Sequence, residues 1–257
     1  MQSEQEIKSD TIIPPDLRQG EIHIWKLDWE EELSTDEKRE WLSEDELERA
    51  SRFYTEALSR RFIVNRTFVR GVLSQYLNRA PSEIRFQLGP HGKPAGFPRD
   101  DQRVINFNIS HSGRLTIGAV CLDIETGVDC ERIREVRDLD GLAKRFFHPD
   151  EYATLMMVAE EAKLESFFKL WTAKEAFIKA TGEGLSRGLD SFVIRDGLTD
   201  RPFVQEVGRE SKIVTDSCWS LSRPPAPAGW AAALAHNSRS PVQVLSFDWS
   251  QLKNKLY

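Results

Sequence analysis

The sequence predicts an α+β chain folded as two similar lobes with a site between them. Two observations predict it. Strand-like and helix-like segments are mixed throughout, with one long helical pattern in each half. The order of strand, capped helix start and long helix in the first half then recurs, with little identity, in the second. The lobes are expected over residues 20–123 and 124–250, and 257 residues suffice for a core in each.

Taken in order, EIHIWKLD places Ile22, Ile24 and Leu27 among polar residues and reads as a strand. In LSEDELERASRFY, Ser43 with Glu46 three residues later has capping-box spacing, so a helix starts there. From Leu58, the apolar positions Phe62, Val69, Val72, Leu73 and Tyr76 recur with helical period. The Gly- and Pro-rich LGPHGKPAGFP is a loop. After it, VINFNIS, a turn at HSG, and LTIGAVC read as two antiparallel strands. GVDCERI is a further strand, RFFHPDEYATL a helix start, and Leu164 to Thr181 a long helix stopped by Gly182. SCWSLSR and GWAAALA close the pattern as two strands around PPAPA.

Composition narrows the function classes. With 40% hydrophobic and 30% charged residues the chain is expected to be globular. A net charge of −6 argues against a general nucleic-acid role. No apolar run is long enough to span a bilayer, and MQSEQEIKSD lacks the features of a signal peptide. Cys121, Cys130 and Cys218 show no zinc spacing, which suits reduced thiols and a cytoplasmic protein.

Four constellations carry chemistry. In GVDCERI, strand alternation puts Asp129 and Glu131 on one face and Val128 and Cys130 on the other. Paired carboxylates suit a hard cation; the same pattern also fits a solvated face beside Arg132 or Arg134. In the long helix, Leu164, Phe168, Trp171, Glu175 and Ile178 form one stripe, so a carboxylate stands in an apolar seam and needs a partner. That partner is Lys179, or a metal shared with Asp129 and Glu131, with Lys174 and Lys179 then beside a polyphosphate. FNISHSG puts Ser110 and His111 on opposite faces, which disfavours a serine hydrolase and leaves His111 as a hydrogen-bonding corner or a phosphate donor. Lys93 sits in a rigid loop, and Arg60, Arg61, Arg66 and Arg70 line the first long helix, where guanidinium groups can grip a phosphomonoester.

Together GKP at 92–94, FNISHSG at 107–113, GVDCE at 127–131, RFFHPDEY at 145–152 and WTAKEAFIKATGEGLS at 171–186 resemble the Sfp-type 4′-phosphopantetheinyl transferases, in order and spacing, from about Trp25 to Phe192. The resemblance implies a pseudo-twofold arrangement of two α+β lobes with coenzyme A and magnesium (Mg2+) in the cleft. It implies transfer of phosphopantetheine to a serine of an apo acyl or peptidyl carrier protein; two lobes in one chain point to a monomer. A catalytically silent binder of coenzyme A or carrier proteins is the rival. By the same resemblance Asp129, Glu131 and Glu175 look like the metal-binding carboxylates, and Lys174 and Lys179 like the lysines near the pyrophosphate. Ser110 and His111 look like the pair at the adenosine phosphate end, with Lys93 near the nucleotide and Arg61 at the 3′-phosphate. Glu175 is the preferred base as well as a ligand; the competing assignment makes it only a ligand and leaves the serine proton to water. Cys130 replaces the usual aliphatic residue between the two acids.

Overall fold

The computed structural model describes residues 16–29, 36–89, 91–184, 187–207, 213–214 and 219–253. Cys218 and the end of the WTAKEAFIKATGEGLS segment, Leu185 and Ser186, lie outside them. The first lobe is built from β1 (Glu21–Asp28), α1 (Glu44–Ser51), α2 (Glu56–Leu77), β2 (Phe97–Pro98), β3 (Val104–Ser112) and β4 (Leu115–Leu122). The second contains β5 (Thr126–Arg132), α3 (Leu139–Phe146), α4 (Pro149–Met156), α5 (Glu160–Thr181) and β6 (Phe192–Arg195). It continues through β7 (Phe203–Val207), β8 (Ile213–Val214), β9 (Ser220–Ser222) and β10 (Trp230–His236). The chain then runs on into β11 (Gln243–Asp248) and α6 (Trp249–Lys253).

Local chemistry places these elements. The Glu46 carboxylate accepts the Ser43 N–H at 3.1 Å at the start of α1. Thr55 caps α2 by accepting the Leu58 N–H at 3.3 Å. Gly182 ends α5 with φ of +73°, a conformation that glycine adopts without strain.

Each lobe lays one 22-residue helix on a sheet. Val64, Phe68 and Val72 of α2 pack on Trp25, Leu27, Phe107 and Val120. Phe177 and Ala173 of α5 pack on Phe192, Ala231 and Ala233. The opposite faces of the two sheets meet, Ile22, Ile24, Ile117 and Cys121 against Val128, Cys130, Ala232 and Leu234. Sandwiched on both sides, β4 is buried along its whole length, which explains its unbroken apolar run.

The end of the chain corrects one expectation. The first sheet runs β11-β1-β4-β3-β2 and the second β5-β10-β9-β7-β6, with β8 on β7. So β11 pairs parallel with β1, and Trp249 and Leu252 enter the first lobe's core. A β-carbon on Gly71 of α2 would collide with the Trp249 ring. The expected boundary at residue 250 therefore does not describe the sheets: the second lobe stops before β11. A parallel edge strand is placed by a partner more than 200 residues away, and nothing in QVLSFD announces it.

Candidate active site

The site lies where β3 of the first sheet runs beside β5, the edge strand of the second. An edge strand buried against protein must find acceptors for its outward N–H groups. Here the even-numbered side chains of β3 supply them. Asn108 Oδ1 accepts the Val128 N–H at 2.9 Å, Ser110 Oγ that of Cys130 at 3.3 Å, and Ser112 Oγ that of Arg132 at 3.0 Å. Asn106 extends the row by donating to the Ile124 carbonyl at 3.0 Å. The lobes are thus joined by polar side chains rather than by a continuous ladder.

The odd-numbered side chains of β5 face α5. Gly127 permits the approach, since a β-carbon there would collide with the Ala176 carbonyl. Asp129 is 4% exposed; its Oδ1 accepts from Ser110 Oγ at 2.7 Å and from Lys179 Nζ at 2.7 Å. Lys179 also donates to Ser110 Oγ at 2.8 Å. Asp129 Oδ2 is buried and has no partner among the described residues. Burial raises the Asp129 pKa, against the opposing pull of Lys179. Two residues on, Glu131 accepts from Ser112 Oγ at 2.6 Å. Glu175 faces the same group from α5: its pKa is raised by burial first and then by the charge of Asp129. Lys179 is committed to Asp129 and Ser110, so the Glu175–Lys179 helical pair does not form as a hydrogen bond.

Among the described residues no three acidic, histidine or cysteine side chains stand together as a ready-made metal-binding group. The donors still fit a hard divalent cation. A buried carboxylate oxygen without a partner is costly unless something satisfies it, and Asp129 Oδ2 is such an atom beside two further acids.

Two hollows flank this group and share Asn108. One, of about 440 Å³, is lined by Phe53, Phe62, Phe107, Ile109, Arg61 and His111 among others. Arg61 donates to His111 Nδ1 at 3.1 Å, so the imidazole is the acceptor and is neutral there. Burial lowers the His111 pKa and Arg61 lowers it further. The other, about 250 Å³, is lined by His91, Lys93, Glu175, Lys179 and Gly182. Lys93 bridges the lobes, donating to the Ala180 carbonyl at 2.7 Å and to Glu125 at 2.9 Å.

Two expected residues are placed differently. Lys174 does not face the cleft. It is fully buried on the core side of α5, donating to Glu151 at 2.8 Å and to the carbonyls of Leu189 and Phe192 at 2.8 Å each. A helix turns about 100° per residue, so Glu175 faces the site while its neighbour faces the core. Ser110 is likewise consumed by Asp129, Lys179 and Cys130, while His111 alone turns to Arg61. Arg66 and Arg70 pair with Glu46, and Arg70 is buried. Sequence patterns missed Glu151, whose partner lies on another element, and Ser112, which looks like a turn residue.

Two family models match the chain: 4′-phosphopantetheinyl transferase, N-terminal, over residues 29–122, and the 4′-phosphopantetheinyl transferase superfamily over residues 125–235. The chain is 39% identical to the 4′-phosphopantetheinyl transferase HetI of Nostoc sp. over 68% of its length and 75% of HetI. It is 37% identical to ffp of Bacillus subtilis, over 63% and 69% of the two chains. With Sfp of Bacillus subtilis the identity is 38%, over 60% and 66%. This chain belongs to the 4′-phosphopantetheinyl transferase family. The two matched spans meet at the 123–124 junction, where β4 passes into β5, and both stop short of β11. Among the described residues no helix is long and apolar enough to cross a membrane.

Proposed function

We propose that the chain transfers 4′-phosphopantetheine from coenzyme A to a serine of an apo acyl or peptidyl carrier protein, using magnesium held between the lobes. Family membership supports the reaction. The observation that carries the site is the buried Asp129 with one oxygen tied by Ser110 and Lys179 and the other without a partner among the described residues. Asp129, Glu131 and Glu175 would hold the ion, whose charge would offset that of the diphosphate.

The chain's own residues supply the rest. The carrier serine Oγ bonds to the β-phosphorus of coenzyme A as the bond from that phosphorus to the bridging oxygen breaks. 3′,5′-Adenosine bisphosphate leaves with the electron pair. Lys179, 30% exposed, turns from Asp129 to the phosphate oxygens as their charge grows. Glu175 takes the serine proton; burial and acidic neighbours raise its proton affinity, and a positioned base is worth about 10²–10⁴-fold. Arg61 and His111, which line the aromatic hollow, hold the 3′-phosphate. Lys93 lies close enough to α5 to reach the nucleotide side. We place the protein in the cytoplasm, consistent with the buried free thiols of Cys121 and Cys130, and take it to act as a monomer.

The test is to incubate the protein with coenzyme A, magnesium and a panel of apo carriers, measuring carrier mass. One phosphopantetheine added per carrier, with adenosine bisphosphate in equal amount, is expected. Chelation, or alanine at the carrier's acceptor serine, stops it. Tight coenzyme A binding with every carrier unmodified would defeat the proposal.

A further inference from the structure

Two rungs of the β3–β5 seam repeat one geometry. Ser110 Oγ donates to Asp129 Oδ1 at 2.7 Å and accepts the N–H of the next residue, Cys130. Ser112 Oγ donates to Glu131 Oε2 at 2.6 Å and accepts the N–H of the next residue, Arg132. A hydroxyl has one proton, so each serine commits it to a carboxylate and one lone pair to a backbone N–H, and Ser110 gives its other lone pair to Lys179. Each acid thereby has one oxygen tied and the other left without a hydrogen bond among the described residues.

The two acids differ in what else holds them. Asp129 is buried and also bonded to Lys179. Glu131 has a longer side chain that is 28% exposed, and its ion-pair partner, Arg134, stands 3.8 Å away on the same oxygen. A glutamate in that setting keeps much of its rotamer freedom unless a hydrogen bond removes it. Ser112 is that bond, and Ser112 is itself held from both lobes. Trp29 Nε1 donates to the Gly113 carbonyl at 3.0 Å and Trp230 Nε1 to the Ser112 carbonyl at 3.3 Å. Gly113, with φ of +53°, lets the turn pass between them.

We propose that Ser112 is a positioning residue that orients Glu131 for the divalent cation of the cleft, an inference that rests on the metal reading above. Ser112 touches neither cation nor substrate in this role; it acts through Glu131. A role confined to the seam would require the Arg132 N–H to be accepted but would leave cation affinity unmoved.

The probe is Mn2+, whose free-ion paramagnetic resonance signal reports binding without turnover, titrated into protein saturated with coenzyme A. Melting temperature is recorded before metal is added. Ser112→Ala should weaken Mn2+ about 10–100-fold, as loss of a ligand's hydrogen-bond partner does, whereas Ser112→Thr, which keeps the hydroxyl, should stay within about threefold. Ser112→Cys keeps the packing should the alanine variant not fold, and a thiol is a poor donor, so it should weaken Mn2+ as alanine does. Unchanged Mn2+ affinity in both variants, whatever their melting temperatures, overturns the proposal and leaves Ser112 as a seam rung. Failure of the metal reading looks different: the unaltered protein then takes up no Mn2+, or Glu131→Gln binds it as tightly, and the proposal falls with it.

Discussion

Replacing Lys174 by methionine tests whether its ammonium belongs to the core or to the substrate. In the structure Glu151, 3% exposed, accepts from Lys174 at 2.8 Å and from the N–H groups of His148 at 2.8 Å and Ile194 at 2.6 Å. The ammonium in turn satisfies two carbonyls and lies 4.2 Å from the centre of the Phe192 ring. Burial lowers the Lys174 pKa, and Glu151 opposes that fall. Breaking such a pair from one side costs about 3–5 kcal/mol. Glu151 keeps two amide donors in Lys174→Met, so the lower figure applies, about 3 kcal/mol or a fall of about 6–12 °C in Tm for a chain of this size. Glu151→Leu should cost more, because it also orphans two amides at about 1–3 kcal/mol each. The assays are thermal melting and coenzyme A binding by calorimetry on the folded fraction at low temperature. A lower Tm with coenzyme A affinity unchanged is expected. An unchanged Tm with coenzyme A bound tenfold more weakly would refute the buried placement and return Lys174 to the pyrophosphate.

Three further outcomes are expected. Lys179→Ala should lower kcat about 10²–10³-fold, as removal of one charge-stabilising donor does, and should also lower Tm, because it leaves buried Asp129 without its cation; a carrier-mass time course on the folded protein checks it. Arg61→Ala should weaken coenzyme A by about tenfold or more, the value of a hydrogen bond between charged groups, but leave 3′-dephospho-coenzyme A nearly unaffected; equal losses would remove Arg61 from that phosphate. The raised Glu175 pKa means that the folded state holds its proton more tightly than the unfolded chain, so the contribution is favourable below the usual carboxylate range and is lost as pH rises through the folded value. With chelator present, Glu175→Gln should therefore melt above the unaltered protein at pH 8, and the gap should narrow as pH falls and close only below the ordinary glutamate value of about 4.3; a constant gap would deny the shift.

Much of the molecule was determined by sequence alone. The helix start at Ser43, the stop at Gly182, and strands β1, β3, β4 and β5 depend on side-chain period and backbone chemistry within a dozen residues. Alternation alone put Val128 and Cys130 in the core and Asp129 and Glu131 on the other face. It also set Ser110 and His111 on opposite sides of β3. What alternation could not give is what lies across each face. Lys174 and Glu175 are adjacent letters, and only the packing of α5 against α4 and β6 sends one to Glu151 and the other to the cleft. The same holds for β11, whose partner is β1, and for Ser112, whose hydroxyl has meaning only once the edge of β5 is beside it. Period is a local property of the backbone, whereas a buried charge or hydroxyl is satisfied by whatever group the tertiary fold brings within 3 Å.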